Sequence, residues 1–221
     1  MCGRYNLYSS VELLLEQFEL TNGDFIEFSP RFNIAPSQEV LSVVQGETGN
    51  RGGFLRWGLV PSWANDPKIG YKMINARAET INEKPSFKRL LARRRCLIVA
   101  DGFYEWKKEG KQKTPFHIRL KNKLPFAFAG LWDRWDQNGT VLQSCTIITT
   151  EANELMKDIH ERMPVILTKE SESAWLDRSI QEEEFLKSLL VPYDSDEMEA
   201  YTISALVNSP KNEGIELIKS I

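Results

Sequence analysis

Residues 96–108 read CLIVADGFYEWKK, and the architecture turns on them. An apolar run too short for a helix meets an Asp-Gly turn signal, and polar–apolar alternation follows. Two strands joined by a tight turn are expected here. Working outward, SFKRLLARRR (86–95) predicts a helix capped by Ser86, and SVELLLEQFEL (10–20) predicts one capped by Ser10. On the other side, TPFHIRLKN (114–122), LPFAFAGLWDRW (124–135) and LQSCTIITT (142–150) read as short strands, with Asn138-Gly139 as a hairpin turn. TEANELMKDIH (150–160) predicts a helix with Thr150 as its cap, and RMPVILTKE (162–170) returns to strand. Two acidic helical stretches (171–190), a late strand MEAYTISALV (198–207) and a closing helix NEGIELIKSI (212–221) complete the reading. Strands linked by short turns pair antiparallel. The expected class is therefore α+β: a mainly antiparallel, curved or barrel-like sheet core with surrounding helices. No repeat or low-complexity linker divides the chain, so residues 1–221 are read as a single domain.

The chain of 221 residues is long enough to bury a sizeable core. Its 42% hydrophobic and 27% charged residues are the balance of an ordinary soluble protein. No apolar run approaches the ~20 residues that span a bilayer, and the first residues hold no signal-peptide core. A cytoplasmic protein with no membrane partner is expected. Cys2, Cys96 and Cys145 are odd in number and far apart, which argues against a disulfide framework and for a reducing compartment. The net charge of −3 hides an asymmetry. Residues 151–221 hold 16 acidic and 7 basic side chains, so of the 31 acids and 28 bases the first 150 residues keep 15 and 21. That basic portion can form an anion-attracting face, although a solvated acidic tail explains the numbers equally well.

The first residues, MCGRYN, pose the chemical question. Removal of Met1 leaves Cys2 with a free α-amine and a thiol on neighbouring carbons. In water an α-amine titrates at about 7.7–8.0 and a cysteine thiol at about 8.5, so both nucleophiles are available near neutral pH. The plainer reading is a small residue at a frayed terminus. RFNIAPSQ (31–38) places Asn33 and Pro36 in a polar turn. LRWGLVPSW (55–63) holds Trp57, read as core, and Trp63, a candidate stacking surface for a base. MINARAET (73–80) sets Asn75 and Arg77 on one side of an extended segment. An amide both donates and accepts, and an arginine clamps phosphate; a surface strand edge with an ion pair is the alternative. Glu105 sits between aromatics, where desolvation suits a carboxylate to acid–base work, though most strand glutamates are simply solvated. His160 stands where a helix gives way to a strand, with Arg162 after it. His117, in an alternating stretch, reads as structural. No Cys/His pair has zinc-ligand spacing and no glycine loop cradles a phosphate.

MCGRY, RFNIAPSQ, WGLVPSW, INARAET, ADGFYEW, DIHERMP and NSPKNEG stand in the order found in the SRAP (SOS-response-associated peptidase) family. The resemblance runs from residue 2 to about 215. It implies a sensor of abasic sites in single-stranded DNA that becomes covalently attached through an N-terminal thiazolidine and removes its own initiator methionine. By that resemblance Cys2 is the nucleophile. Glu105 assists sugar ring opening and proton transfer, His160 orients the sugar and assists imine chemistry, and Asn75 holds Cys2 and the sugar. Asn33 and Thr149 resemble neighbours of the pocket. Arg4, Arg77 and Arg162 resemble phosphate contacts, and Trp63 and Pro36 apolar platforms. No metal or other cofactor is implied, the partner is single-stranded DNA carrying abasic sites, and a monomer associated with DNA is expected. The chain departs from the family at Pro85, where a basic residue is expected, with Lys84 beside it as a candidate DNA contact. It departs again in the loop ANDPKIGYK (64–72), which lacks a tandem tryptophan and offers Tyr71 instead.

Two other classes fit part of the pattern. N-terminal-nucleophile amidotransferases and hydrolases also begin Met-Cys-Gly and use the terminal amine as a base, but no glutamine-binding pattern follows here. A non-catalytic single-strand-binding module needs the basic and aromatic residues and not the aminothiol, so replacement of Cys2 separates it from the enzyme.

Overall fold

The stretch that opens at Cys96 becomes a strand buried on both faces. All six residues of β6 (Arg95–Ala100) are buried, which is why this run does not alternate. The computed structural model describes residues 2–22, 27–137 and 139–221. Met1 and Asn138, expected to be the processed terminus and part of a hairpin turn, lie outside the described residues.

Around β6 a ring of strands closes. β3 (Glu39–Gln45) pairs with β6 and with β4 (Asn50–Trp57), and β6 pairs with β9 (Phe126–Gln137). β9 pairs with β10 (Thr140–Glu151) along eight residue pairs, and β10 returns to β4. β3, β4, β6, β9 and β10 thus form a closed barrel, which leaves these five no exposed edge over their paired lengths. β5 (Asn75–Arg77) and β11 (Arg162–Pro164) attach to the far end of β10, and β12 (Ile166–Leu167) attaches to β9. A second sheet has the order β13–β8–β7–β1–β2, built from β1 (Tyr5–Leu7), β2 (Arg31–Ile34), β7 (Gly102–Glu109), β8 (Gln112–Leu120) and β13 (Met198–Thr202). Tyr5 on β1 joins sheet to barrel, its ring edge-on to Trp57 at 5.4 Å and to Phe128 at 5.7 Å.

The expected α+β class with a barrel-like core is what the chain forms. The parallel pairings of β10 with β4 and β5 are its departure from antiparallel order. Among the described residues five short α-helices lie outside the strands: α1 (Val11–Gln17), α2 (Pro85–Leu91), α3 (Glu154–Lys157), α4 (Lys169–Leu176) and α5 (Glu183–Ser188). Ser10 caps α1 as expected, accepting from the Leu13 amide at 3.3 Å. Three boundaries are corrected. α2 starts at Pro85, whose fixed φ and missing N–H suit a first turn, so Ser86 is inside the helix. Thr150 belongs to β10, and Asn153 caps α3. The closing stretch forms only a 3₁₀ turn at Ile215–Ile218, entered through Gly214 at φ 130°.

Candidate active site

Cys2 precedes the shortest strand of the second sheet, and register decides what it faces. β1 runs antiparallel to β7 with Tyr5 opposite Phe103 and Asn6 opposite Gly102, and the Tyr104 amide donates to the Arg4 carbonyl at 3.0 Å. Residues 2–4 continue beyond that pairing toward the Glu105 end of β7. Cys2 is fully buried. Burial pushes its thiol well above the ordinary range, and the negative charge of Glu105 pushes it further; the Arg4 amide, donating to the sulfur, acts the other way. Burial and the Glu105 charge both favour the protonated sulfur.

Glu105 is itself only 3% exposed. It lines a cleft of about 460 Å³ together with Trp106, Lys108, Lys113, His160 and Asn208. β7 outruns β1 here, so the edge of the strand is uncovered and side chains from both of its faces reach the opening. His160, between α3 and β11, is fixed through Nδ1, which accepts from the Arg162 amide at 3.0 Å. Trp106 Nε1 donates to Asn208 Oδ1 at 2.7 Å, which brings the C-terminal segment into the wall.

Asn75 opens β5, and both atoms of its amide are buried without a hydrogen-bond partner among the described residues. Such a group costs about 1–3 kcal/mol unless a water or a bound molecule satisfies it. Arg77, two residues on, is exposed. Its strand neighbour Thr149 is buried, and Thr149 O accepts from Arg162 Nη2 at 2.8 Å. Arg162 is otherwise forked onto Glu79, at 2.7 Å and 3.0 Å. Arg4 is likewise engaged, its Nη1 donating to Asn33 Oδ1 at 2.7 Å and to Val207 O at 2.8 Å. Asn33 lies in β2 and not in a turn; its amide nitrogen donates to Ser209 O at 2.9 Å and Asn212 O at 2.8 Å. Pro36 follows β2 in the turn that carries Ser37 at φ 74°.

The structure does not bring every candidate to one cleft. Trp63, 54% exposed, lines a separate hollow of about 590 Å³ with Pro85, Arg89, Arg93 and Arg94. Lys84 is exposed just ahead of α2. Tyr71 is exposed with the Arg56 guanidinium 5.6 Å from its ring. A larger hollow of about 730 Å³ beside the β3–β4 turn contains none of the candidates. His117 is structural as expected. Asn6 Nδ2 lies 2.8 Å from Nε2, Tyr201 Oη lies 2.8 Å from Nδ1, and burial, with Arg119 second, holds its pKa down at about 3. Sequence reasoning missed Asn208 and the lysines of the cleft. The run EWKKEGKQK, next to Glu105, was the available signal.

A buried thiol ahead of β1 and a buried carboxylate that shares a cleft with a histidine make up the candidate site of this barrel-and-sheet α+β fold. Residues 1–210 match the family described as SRAP, SOS response associated peptidase, and the chain belongs to it. It is 54% identical to the abasic site processing protein YoqW of Bacillus subtilis (strain 168), with all of both chains covered. It is 31% identical to the abasic site processing protein YedK of Escherichia coli (strain K12), again over the whole of both chains. A crystal structure of a protein from Bacteroides thetaiotaomicron superposes with a TM-score of 0.89 at 27% identity, covering all of both chains. Among the described residues no helix is long and apolar enough to cross a membrane.

Proposed function

We propose that this protein captures abasic sites in single-stranded DNA by bonding covalently to the exposed sugar aldehyde. The observation that carries the reading is the placement of Cys2 beside Glu105, in a chain whose relatives YoqW and YedK are named abasic site processing proteins. An abasic deoxyribose is in part an open-chain aldehyde. Once Met1 has been hydrolysed away, the Cys2 amine adds to the aldehyde carbon and water leaves, giving an imine. The thiol then adds to the imine carbon, its proton passes to nitrogen, and a five-membered thiazolidine closes. The imine alone is readily hydrolysed; the second bond retains the product.

Each neighbour has a role in that sequence. Glu105, within electrostatic range of the sulfur, shuttles the protons of ring opening and thiol addition. His160, on the same cleft, assists opening of the sugar. The unsatisfied Asn75 amide is the group that holds sugar and terminus in line. Arg77 offers an exposed guanidinium to a phosphate. Arg162 and Thr149, bonded to each other next to Arg77, and Arg4 and Asn33, bonded to each other beside the C-terminal segment, are assigned to the DNA with Trp63, Pro36 and Lys84, which meet it outside the cleft. The protein acts as a monomer, and its peptidase activity is removal of its own Met1. The test is incubation with an oligonucleotide containing one abasic site, followed by denaturing electrophoresis. A retarded band resistant to denaturation is expected. Its absence, with an intact mass showing Cys2 at the terminus, would overturn the reading.

A further inference from the structure

The cleft beside Glu105 carries a feature that the capture chemistry does not use. Lys108 and Lys113 are directly opposite each other on the β7–β8 hairpin, and both line the cleft. Directly opposed residues on one face of an antiparallel pair have Cβ atoms about 4.5–5.5 Å apart, and like charges there repel. The acid in reach along the same strand, Glu109, is paired with Lys107 at 3.2 Å, and alternation puts both of those on the opposite face. Both Lys108 and Lys113 are exposed, and neither has an acidic partner within 4 Å among the described residues. Trp106, on the same face as Lys108, lines the cleft with this pair, and Glu105 reaches it from the other face.

We infer that Lys108 and Lys113 form a phosphate site for the DNA strand that enters the Glu105–His160 cleft. The inference rests on the proposed reading of that cleft. An uncompensated pair of ammonium groups is unfavourable in the free protein and is relieved by an anion placed between them. A phosphodiester of a strand whose sugar reaches Glu105 is such an anion, and two lysines contact it as point charges without reading base identity.

The test compares wild type with K108Q/K113Q and K108R/K113R. Binding of an intact single-stranded oligonucleotide is followed by fluorescence anisotropy from low to moderate salt. Adduct formation is followed with the same oligonucleotide carrying one abasic site. Each phosphate neutralised on a single strand contributes about 0.7 to the slope of log affinity against log salt. The glutamine variant is expected to lose about 0.7 to 1.4 of that slope and to form adduct about tenfold more slowly at about 100 mM salt. The arginine variant should keep both. Because the glutamines remove a repulsion, the melting temperature should not fall. An unchanged slope and rate in K108Q/K113Q overturns the phosphate site, as does an arginine variant that behaves like the glutamine one. If no protein forms adduct but the slopes differ as stated, the covalent reading fails and the phosphate site stands.

Discussion

At the scale of single residues, chemistry and support are divided between the two ends of the β1–β7 pair. Cys2→Ser keeps the amine and removes the sulfur. It should give only an imine, visible when a borohydride reductant is present and lost on denaturation without it. A durable adduct from that variant would contradict ring closure. Glu105→Gln is expected to slow adduct formation about 10²–10⁴-fold, as the loss of a proton-transfer group does, with affinity for intact single strands held within about twofold. At the other end, His117 is kept neutral by burial and by Asn6 and Tyr201. Its folded pKa of about 3 is below the ordinary 6.5, so the unfolded chain takes up the proton first. Stability should therefore fall as pH drops from about 6.5 toward 3, by up to about 4 kcal/mol from this group. Urea unfolding across that range should show a shallower pH dependence in His117→Phe. Residue type and sequence setting raised Cys2, Asn75, Glu105 and His160 as candidates, and the family resemblance supplied their expected roles. Partnership was not legible, because Arg162 finds Glu79 across 83 positions and Arg4 finds Val207 across 203.

Among the elements, β9 and β10 carry the closure of the barrel, and the point where β9 meets β6 is tight. A Cβ built on Gly130 would lie 2.9 Å from both Cys96 Sγ and Ile98 Cδ1. Gly130→Ala should cost about 1–3 kcal/mol by overpacking and lower the melting temperature measured by circular dichroism. The strands flanking this point were readable because burial writes itself into them as apolar runs and alternation. α1 was readable because Ser10 stands one turn from its first periodic residues. α3 was misplaced because Thr150 and Asn153 are both capable caps. What separates them is the pairing of Glu151 with Arg162, a contact that no local pattern records. The acidic, periodic closing segment looked helical, yet Gly214 enters at positive φ and Ser220 bridges to Ile203, so tertiary contacts overrule propensity there. The parallel union of β10 with β4 and β5 was equally hidden, since it joins residues about 70 to 90 positions apart.

On the scale of the whole molecule, the segment after β13 is fastened to the first strands. Asn33 donates to the carbonyls of Ser209 and Asn212, Arg4 donates to that of Val207, and the Phe32 amide donates to Glu213 Oε1. Asn33→Ala should cost about 1–3 kcal/mol, because two part-buried carbonyls lose their donor and Arg4 loses an acceptor. It should also expose residues 205–214 to limited proteolysis while the barrel resists. An unchanged digestion pattern would mean that the remaining contacts hold the segment alone. The enclosure of Cys96 and Cys145 has a consequence of a different kind. Enclosed, protonated sulfur reacts slowly with alkylating agents and disulfide reagents, since these need a thiolate and an approach path. In a Cys2→Ser background, native protein should therefore be nearly silent toward Ellman's reagent and release two equivalents of chromophore once guanidinium opens it. The barrel wall thus holds back the two sulfurs that capture does not use.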